Sequence, residues 1–218
     1  MYLRNGQPQP DLSQVGPLAA DENVFRKHTT HIAAADAAGN WVAITQTINT
    51  GYGSLVFVPG TGIALNNEMD DFAIAPGTPN AFGLVGAEAN AVAPLKRPLS
   101  SMSPTIVLKD GQPVLTVGAA GGPTIISQVL QAIVRRIDLD LPLDECLGRP
   151  RIHQQWSPDV VRIESRLDAG LQAALTERGH KLNPVKNMGV SQAIGFDERS
   201  GLFQGVHDPR VPGKAAGP

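Results

Sequence analysis

Thr29 and Thr30 stand side by side in HTTHIAAAD, residues 28–36, where a polar, loop-like stretch turns abruptly into β-prone sequence. A threonine hydroxyl is a poor nucleophile until a base removes its proton. One such base is the threonine's own α-amine, once the preceding peptide bond is cut. An α-amine titrates at about 7.7–8.0, close enough to neutral pH to serve as a general base. Two β-branched residues also open a strand well, so the pair alone permits both readings.

Three further segments hold residues of chemical interest. GAAGGPT, 118–124, places glycines between a strand-like run and a helix-like one. Backbone N–H groups can converge there on an anion, a phosphate or the oxyanion of acyl transfer, or the segment is simply a turn. Pro123-Thr124 follows the last glycine where a phosphate loop needs a lysine and a hydroxyl residue, which disfavours a nucleotide. NNEMDDF, 66–72, gathers Glu68, Asp70 and Asp71. Such carboxylates can work as acid and base, hold a metal, grip an ammonium group, or form a solvated turn. The five histidines show no ligand spacing such as H-E-x-x-H, so no metal or other cofactor is expected and an ammonium grip fits better. KRPLSSMSPT, 96–105, sets serines between prolines, as a carboxylate-binding loop or a plain turn would. No G-x-S-x-G elbow accompanies them.

The elements that must position these residues read as follows. THIAAAD and WVAITQTI (41–48) flank AAGN and form a predicted antiparallel hairpin. A second hairpin is predicted in TIVLKDGQPVLTVG (105–118) around Asp110-Gly111. From Thr124, Ile125, Ile126, Val129, Leu130, Ile133, Val134 and Ile137 recur every three or four residues and predict a helix. VVRIES (160–165) reads as a strand, LDAGLQAALTERG (167–179) as a helix capped at Gly179, and SQAIGFD and GLFQGV as further strands. Blocks of hairpins and helices favour an α+β fold over a doubly wound parallel sheet.

At 218 residues, 42% hydrophobic and 17% charged, one globular domain is expected. A net charge of −2 with scattered signs argues against nucleic-acid partners. The lone Cys146 reads as a buried thiol. No run reaches the ~18 apolar residues of a membrane span, and the first residues lack the apolar core of a signal peptide.

In their order, TTH, TQTIN, NNEMDDF, KRPLSSMSPT, GAAGGPT, RIHQQW and DPR strongly resemble the small subunit of γ-glutamyltranspeptidases, which are N-terminal nucleophile hydrolases. The resemblance runs from about Thr29 to Ala216 and implies a four-layer αββα sandwich, of which this chain would supply part. It divides the chain into a leader, 1–28, that ends a large-subunit region, and a catalytic portion, 29–218. It implies autocatalytic cleavage at His28-Thr29, with the freed Thr29 as nucleophile and Thr47 as its hydrogen-bond partner. Gly121 and Gly122 match the oxyanion hole. Asn49, Glu68 and Asp71 match the group around a substrate α-amine, and Ser100 and Ser101 match the hydroxyls at the α-carboxylate. The implied activity moves the γ-glutamyl group of glutathione or a similar compound, through a threonyl ester, to water or to an acceptor amino acid or peptide. The alternatives are a cephalosporin or glutaryl acylase of the same family, or an unprocessed, inactive fragment. The family's carboxylate-binding arginine belongs to the large subunit, and no arginine here matches its position, so a large-subunit partner is expected. Ala33 also stands where many members carry serine. Periplasmic or extracellular placement is implied by the resemblance alone.

Overall fold

The computed structural model describes residues 29–217; the expected leader and the His28-Thr29 bond lie outside them. Strands β1 (Thr30–Ala35) and β2 (Trp41–Gln46) form the first predicted hairpin, antiparallel, with Thr30 opposite Gln46 and Ala35 opposite Trp41. Asp36 closes its turn, Oδ1 accepting from the Ala38 and Asn40 amides at 3.0 and 2.9 Å. Strand β2 ends two residues earlier than the 41–48 alternation predicts, because the backbone turns away at Asn49, whose φ is 75°. That left-handed conformation is one an asparagine tolerates.

A long irregular segment follows, holding only β3 (Phe57–Val58), β4 (Ile63–Ala64) and short 3-10 turns, one of them Glu68–Asp71. Regular structure resumes with β5 (Thr105–Lys109) and β6 (Gln112–Ala120). They are joined as expected by Asp110-Gly111, both with positive φ, the requirement of a tight hairpin turn. Then come α1 (Thr124–Ile137), α2 (Leu143–Gly148), β7 (Ile152–His153), β8 (Val161–Glu164), α3 (Ala169–Glu177), β9 (Leu182–Val185), β10 (Val190–Asp197) and β11 (Leu202–His207).

The main sheet is antiparallel, in the order β11-β10-β6-β5. Helices α1 and α2 cover one face, and the β1–β2 hairpin packs against β6 on the other. From Leu115 to Ala120 strand β6 is buried on both sides, and there its sequence is continuously small or apolar. Leu115, Val117 and Ala119 join Ile125, Val129, Leu143, Cys146 and Leu147 in the core. The alternate residues face the hairpin: Thr116 Oγ1 donates to the Val42 carbonyl at 3.1 Å, and Gly118 leaves room for the His31 ring. The result is helix on sheet on sheet, the α+β arrangement expected, as a portion of an αββα sandwich.

Two departures from the sequence reading stand out. Strands β8 and β9 pair in parallel through α3, the crossover that parallel strands require; β9, reading LNPV, has no apolar run to announce it. The outward side chains of the hairpin, Ile32, Val42 and Ile44, are exposed, as are Ile126, Leu130, Val134 and Ile137 on α1. The predicted apolar stripe of α1 is therefore only half used by this core. Cys146 is buried as expected, and burial pushes its thiol up from the ordinary range.

Candidate active site

Nine residues singled out from the sequence, spread from position 29 to 122, line one cavity of about 360 Å³: Thr29, Thr47, Asn49, Glu68, Asp71, Ser100, Ser101, Gly121 and Gly122. They arrive there by different means.

Thr29 immediately precedes β1, and Thr47 immediately follows β2, so hairpin register sets them opposite one another. Thr29 Oγ1 donates to Thr47 Oγ1 at 3.0 Å, and Thr47 Oγ1 also accepts the Asn49 N–H at 2.9 Å. Two rungs along, on the same face, His31 Nδ1 lies 2.8 Å from Thr45 Oγ1. Burial holds the His31 ring neutral, its pKa pushed down to about 4.

Gly121 and Gly122 connect β6 to α1 with φ of 145° and 59°, values that favour glycine. Space adds a second reason. A Cβ on Gly121 would fall 2.6 Å from Thr124 Oγ1 and 2.9 Å from Gln128 Nε2, and one on Gly122 would meet the Phe82 ring at 3.3 Å. Neither glycine's N–H donates to another described residue, and the α1 N-terminus lies just beyond, where the helix dipole favours negative charge.

The acidic end is built from a 3-10 turn. Asn49 Nδ2 bridges the Asn67 carbonyl and Asp71 Oδ1 at 3.1 and 3.2 Å. Burial raises the Asp71 carboxyl; the Asn49 hydrogen bond works against this and the neighbouring Asp70 adds to it. Glu68 is raised by burial and by Asp71, and its buried Oε1 has no hydrogen-bond partner. An acceptor left so is costly unless a donor arrives.

Ser100 and Ser101 line the same cavity on chain outside any regular element, where Ser100 Oγ accepts the Met102 N–H at 3.2 Å. Asn90 ties this wall to the acidic one, Nδ2 donating to the Asp71 carbonyl at 2.8 Å while Oδ1 accepts the Leu99 N–H at 3.0 Å. No lysine or arginine lines the cavity among the described residues. The arrangement offers a paired hydroxyl, two free amides, acceptors for an ammonium group, and hydroxyls without a cation.

Phe82 and Asn90 also line the site, and sequence reasoning passed over both. It also gave no role to RIHQQW and DPR beyond resemblance. Their charged residues form a buried network: Arg151 bonds Asp208, and Arg210 bonds both Asp208 and Glu164. Burial opposes ionisation of Glu164, but Arg210, the Met188 amide and Arg151 outweigh it and hold the carboxyl below its usual range. Asp208 is likewise held low, chiefly by Arg151 against burial. Arginine and carboxylate types at those distant positions were the available signal.

Comparison with known proteins agrees with this geometry. A family profile described as Gamma-glutamyltranspeptidase matches residues 4–218. A glutathione hydrolase proenzyme of Escherichia coli is 46% identical over 208 residues, covering 95% of this chain and 35% of the relative. The chain spans about a third of the length of such curated relatives. Among solved structures, a Helicobacter pylori γ-glutamyltranspeptidase mutant superposes with a TM-score of 0.80 at 48% identity, covering 84% of this chain and 100% of that one. A cephalosporin acylase from Bacillus halodurans gives 0.75 at 30% identity, over 90% of this chain and 36% of that one. The order of motifs, the cavity they build and the profile match across nearly the whole sequence place the chain in the γ-glutamyltranspeptidase family.

Proposed function

We propose that this chain is the nucleophile-bearing portion of a γ-glutamyltransferase/hydrolase acting on glutathione-like γ-glutamyl compounds. The observation that carries the reading is the Thr29–Thr47 hydroxyl pair in a cavity whose other walls present the glycine turn, the acidic pair and the serines.

The chemistry follows from the residues. In the precursor, the Thr29 hydroxyl attacks the His28 carbonyl, the His28-Thr29 C–N bond breaks to free the Thr29 amine, and water then opens the resulting ester to free the hydroxyl. That amine then takes the hydroxyl proton as Thr29 Oγ1 attacks the γ-glutamyl amide carbon. The Gly121 and Gly122 amides receive the oxyanion. Collapse breaks the C–N bond, and the proton passes to the leaving amine. Water or an acceptor amine resolves the γ-glutamyl ester by the same route in reverse. Asp71 and Glu68 accept from the substrate ammonium group, and Ser100 and Ser101 donate to its carboxylate. Among the described residues no cation lines the cavity; a large-subunit partner supplies the arginine at that carboxylate and covers the exposed apolar faces of the hairpin and α1. An acylase acting on substrates without an α-amine would leave Glu68 Oε1 unpaired, which favours the γ-glutamyl reading over that relative.

Among the described residues no helix is long and apolar enough to cross a membrane. From the family resemblance alone, we propose that the protein works in the periplasm or outside the cell. The test is release of p-nitroaniline from a γ-glutamyl anilide by the complete protein. Thr29→Ala is expected to lower kcat by about 10⁴-fold or more, and unchanged turnover would sink the assigned nucleophile.

A further inference from the structure

We infer that Gln128 is the positioning residue of the oxyanion hole, the side chain that aims both glycine amides at the reacting oxygen. The inference rests on the reading of Gly121 and Gly122 as that hole.

Gln128 sits one turn into α1 and is 2% exposed. Its Nε2 donates twice, to the Ala120 carbonyl at 3.2 Å and to Thr124 Oγ1 at 3.0 Å. Thr124 Oγ1 in turn donates to the Gly121 carbonyl at 2.8 Å. A trans peptide is planar, with its N–H pointing opposite its C=O. Fastening the Ala120 carbonyl therefore fixes the direction of the Gly121 N–H, and fastening the Gly121 carbonyl fixes that of the Gly122 N–H. One side chain, directly and through one hydroxyl, sets both donors and turns them away from α1 toward the cavity.

The amide itself is oriented. Ser191 Oγ donates to Gln128 Oε1 at 2.9 Å, and Arg151 Nη2 donates to Ser191 Oγ at 3.1 Å. A flipped amide would set Oε1 against the Ala120 carbonyl and leave Ser191 facing an NH₂ group, so this serine selects one of the two orientations. Arg151 is itself pinned by Asp208 and by the Met188 carbonyl. The buried ion network thus ends on Gln128. Gly189 completes the fit, since any Cβ there would collide with Gln128 Nε2 and the Ala120 carbonyl. This much buried, satisfied polar structure behind a glycine turn is more than the turn needs to exist: the α1 helix and the β6–β10 ladder already define its ends.

The experiment uses the complete, processed protein with three readouts: kcat and KM for a γ-glutamyl anilide, the dissociation constant of glutamate, and inhibition by the glutamate analogue carrying boronic acid in place of the γ-carboxyl. Thr29 Oγ adds to that boron as its proton leaves for the α-amine, and the tetrahedral adduct presents an oxygen to the hole. Gln128→Met, nearly equal in volume, is expected to lower kcat by about 10–100-fold, part of the effect of losing an oxyanion donor outright. Boronate affinity should fall by a similar factor, while KM and glutamate binding stay within about twofold, since only the transition state uses the amides. If Gln128→Met fails to unfold cooperatively, the pair at Thr124 carries the test. Thr124→Ser should retain wild-type kcat, and Thr124→Val should lose it in the same pattern. Wild-type kcat and boronate affinity in Gln128→Met, or in Thr124→Val, would overturn the assignment. So would an equal loss of glutamate binding, which marks a merely structural role. A crystal structure of the wild-type boronate adduct separates the two levels. If its oxygen lies away from the Gly121 and Gly122 amides, the oxyanion reading falls and takes this one with it. If it lies on them while Gln128→Met is unimpaired, only the role of Gln128 is wrong.

Discussion

The two sides of the cavity are supported in opposite ways. Thr29, Gly121 and Gly122 sit at the ends of β1 and β6, strands packed against a core whose members Leu115, Val117 and Ile125 are sealed from solvent. Glu68, Asp71, Ser100 and Ser101 sit on the irregular segment between β2 and β5, where Ile74 and Leu99 are 73% and 65% exposed. There, apart from the buried Phe72 and Ala73, asparagines do the bracing. Asn49, Asn67, Asn80 and Asn90 fasten backbone and side chains to one another across the loops. In the proposed mechanism, the groups that must meet a transition state within tenths of an ångström are thus placed on elements that cannot drift. The groups proposed to recognise the substrate hang on cross-bracing and, in the same proposal, on a covering partner. Damage to the first region should appear in stability and kcat, and damage to the second in KM.

The largest effect should come from the buried ion network behind the catalytic side. Arg151→Met leaves Asp208 without its main partner, and breaking such a pair costs about 3–5 kcal/mol. Urea unfolding checks it, with an unchanged m-value indicating that stability alone has moved.

Next is a pH effect from the same side. His31 is neutral when folded, its pKa pushed down to about 4 against 6.5 unfolded. Between those values the unfolded chain binds a proton that the folded one refuses, so stability is full above about 6.5 and falls as pH drops toward 4. The loss should reach up to about 3 kcal/mol. His31→Asn should flatten that window in a stability–pH profile while leaving the steeper loss below it, where Glu164 and Asp208 take up protons.

On the recognition side, Asp71→Asn should raise KM for a γ-glutamyl anilide by about 10–100-fold, the worth of a charged hydrogen bond, with a smaller change in kcat. Because burial raises both Asp71 and Glu68, wild-type kcat/KM should fall on acidification at a pH above the usual carboxylate range. In Asp71→Asn that limb should shift or vanish. Smaller still, Asn90→Ala loosens the brace between the Asp71 carbonyl and the Leu99 amide. A KM increase of about 5–10-fold is expected, the equivalent of one ordinary hydrogen bond. Equal kcat losses in Asn90→Ala and Gln128→Met would erase the distinction between the two sides.

The same contrast explains what the sequence disclosed. Both predicted hairpins and α1 were legible because alternation, Asp110-Gly111 and helical spacing are local signals. The nine residues that line the cavity could be proposed together only through the order of several motifs, since each segment alone suits an ordinary turn or strand. Gln128, Ser191, Arg151 and Asp208 could not be linked from sequence because the bonds that join them to one another span 17 to 63 positions, a relation that no local period carries. Strand β9 was hidden for a different reason: Asn183 and Pro184 break its apolar pattern, and only its parallel pairing with β8 makes it a strand.

The central claim is that Thr29 becomes a free N-terminus and carries the acyl group, and mass spectrometry tests both parts at once. The complete protein is mixed with a γ-glutamyl anilide, quenched in acid within the first turnovers and digested. The account predicts a peptide that begins at Thr29 and carries one γ-glutamyl group on that residue. Thr29 still joined to His28 throughout, or the group found on another side chain, would contradict it.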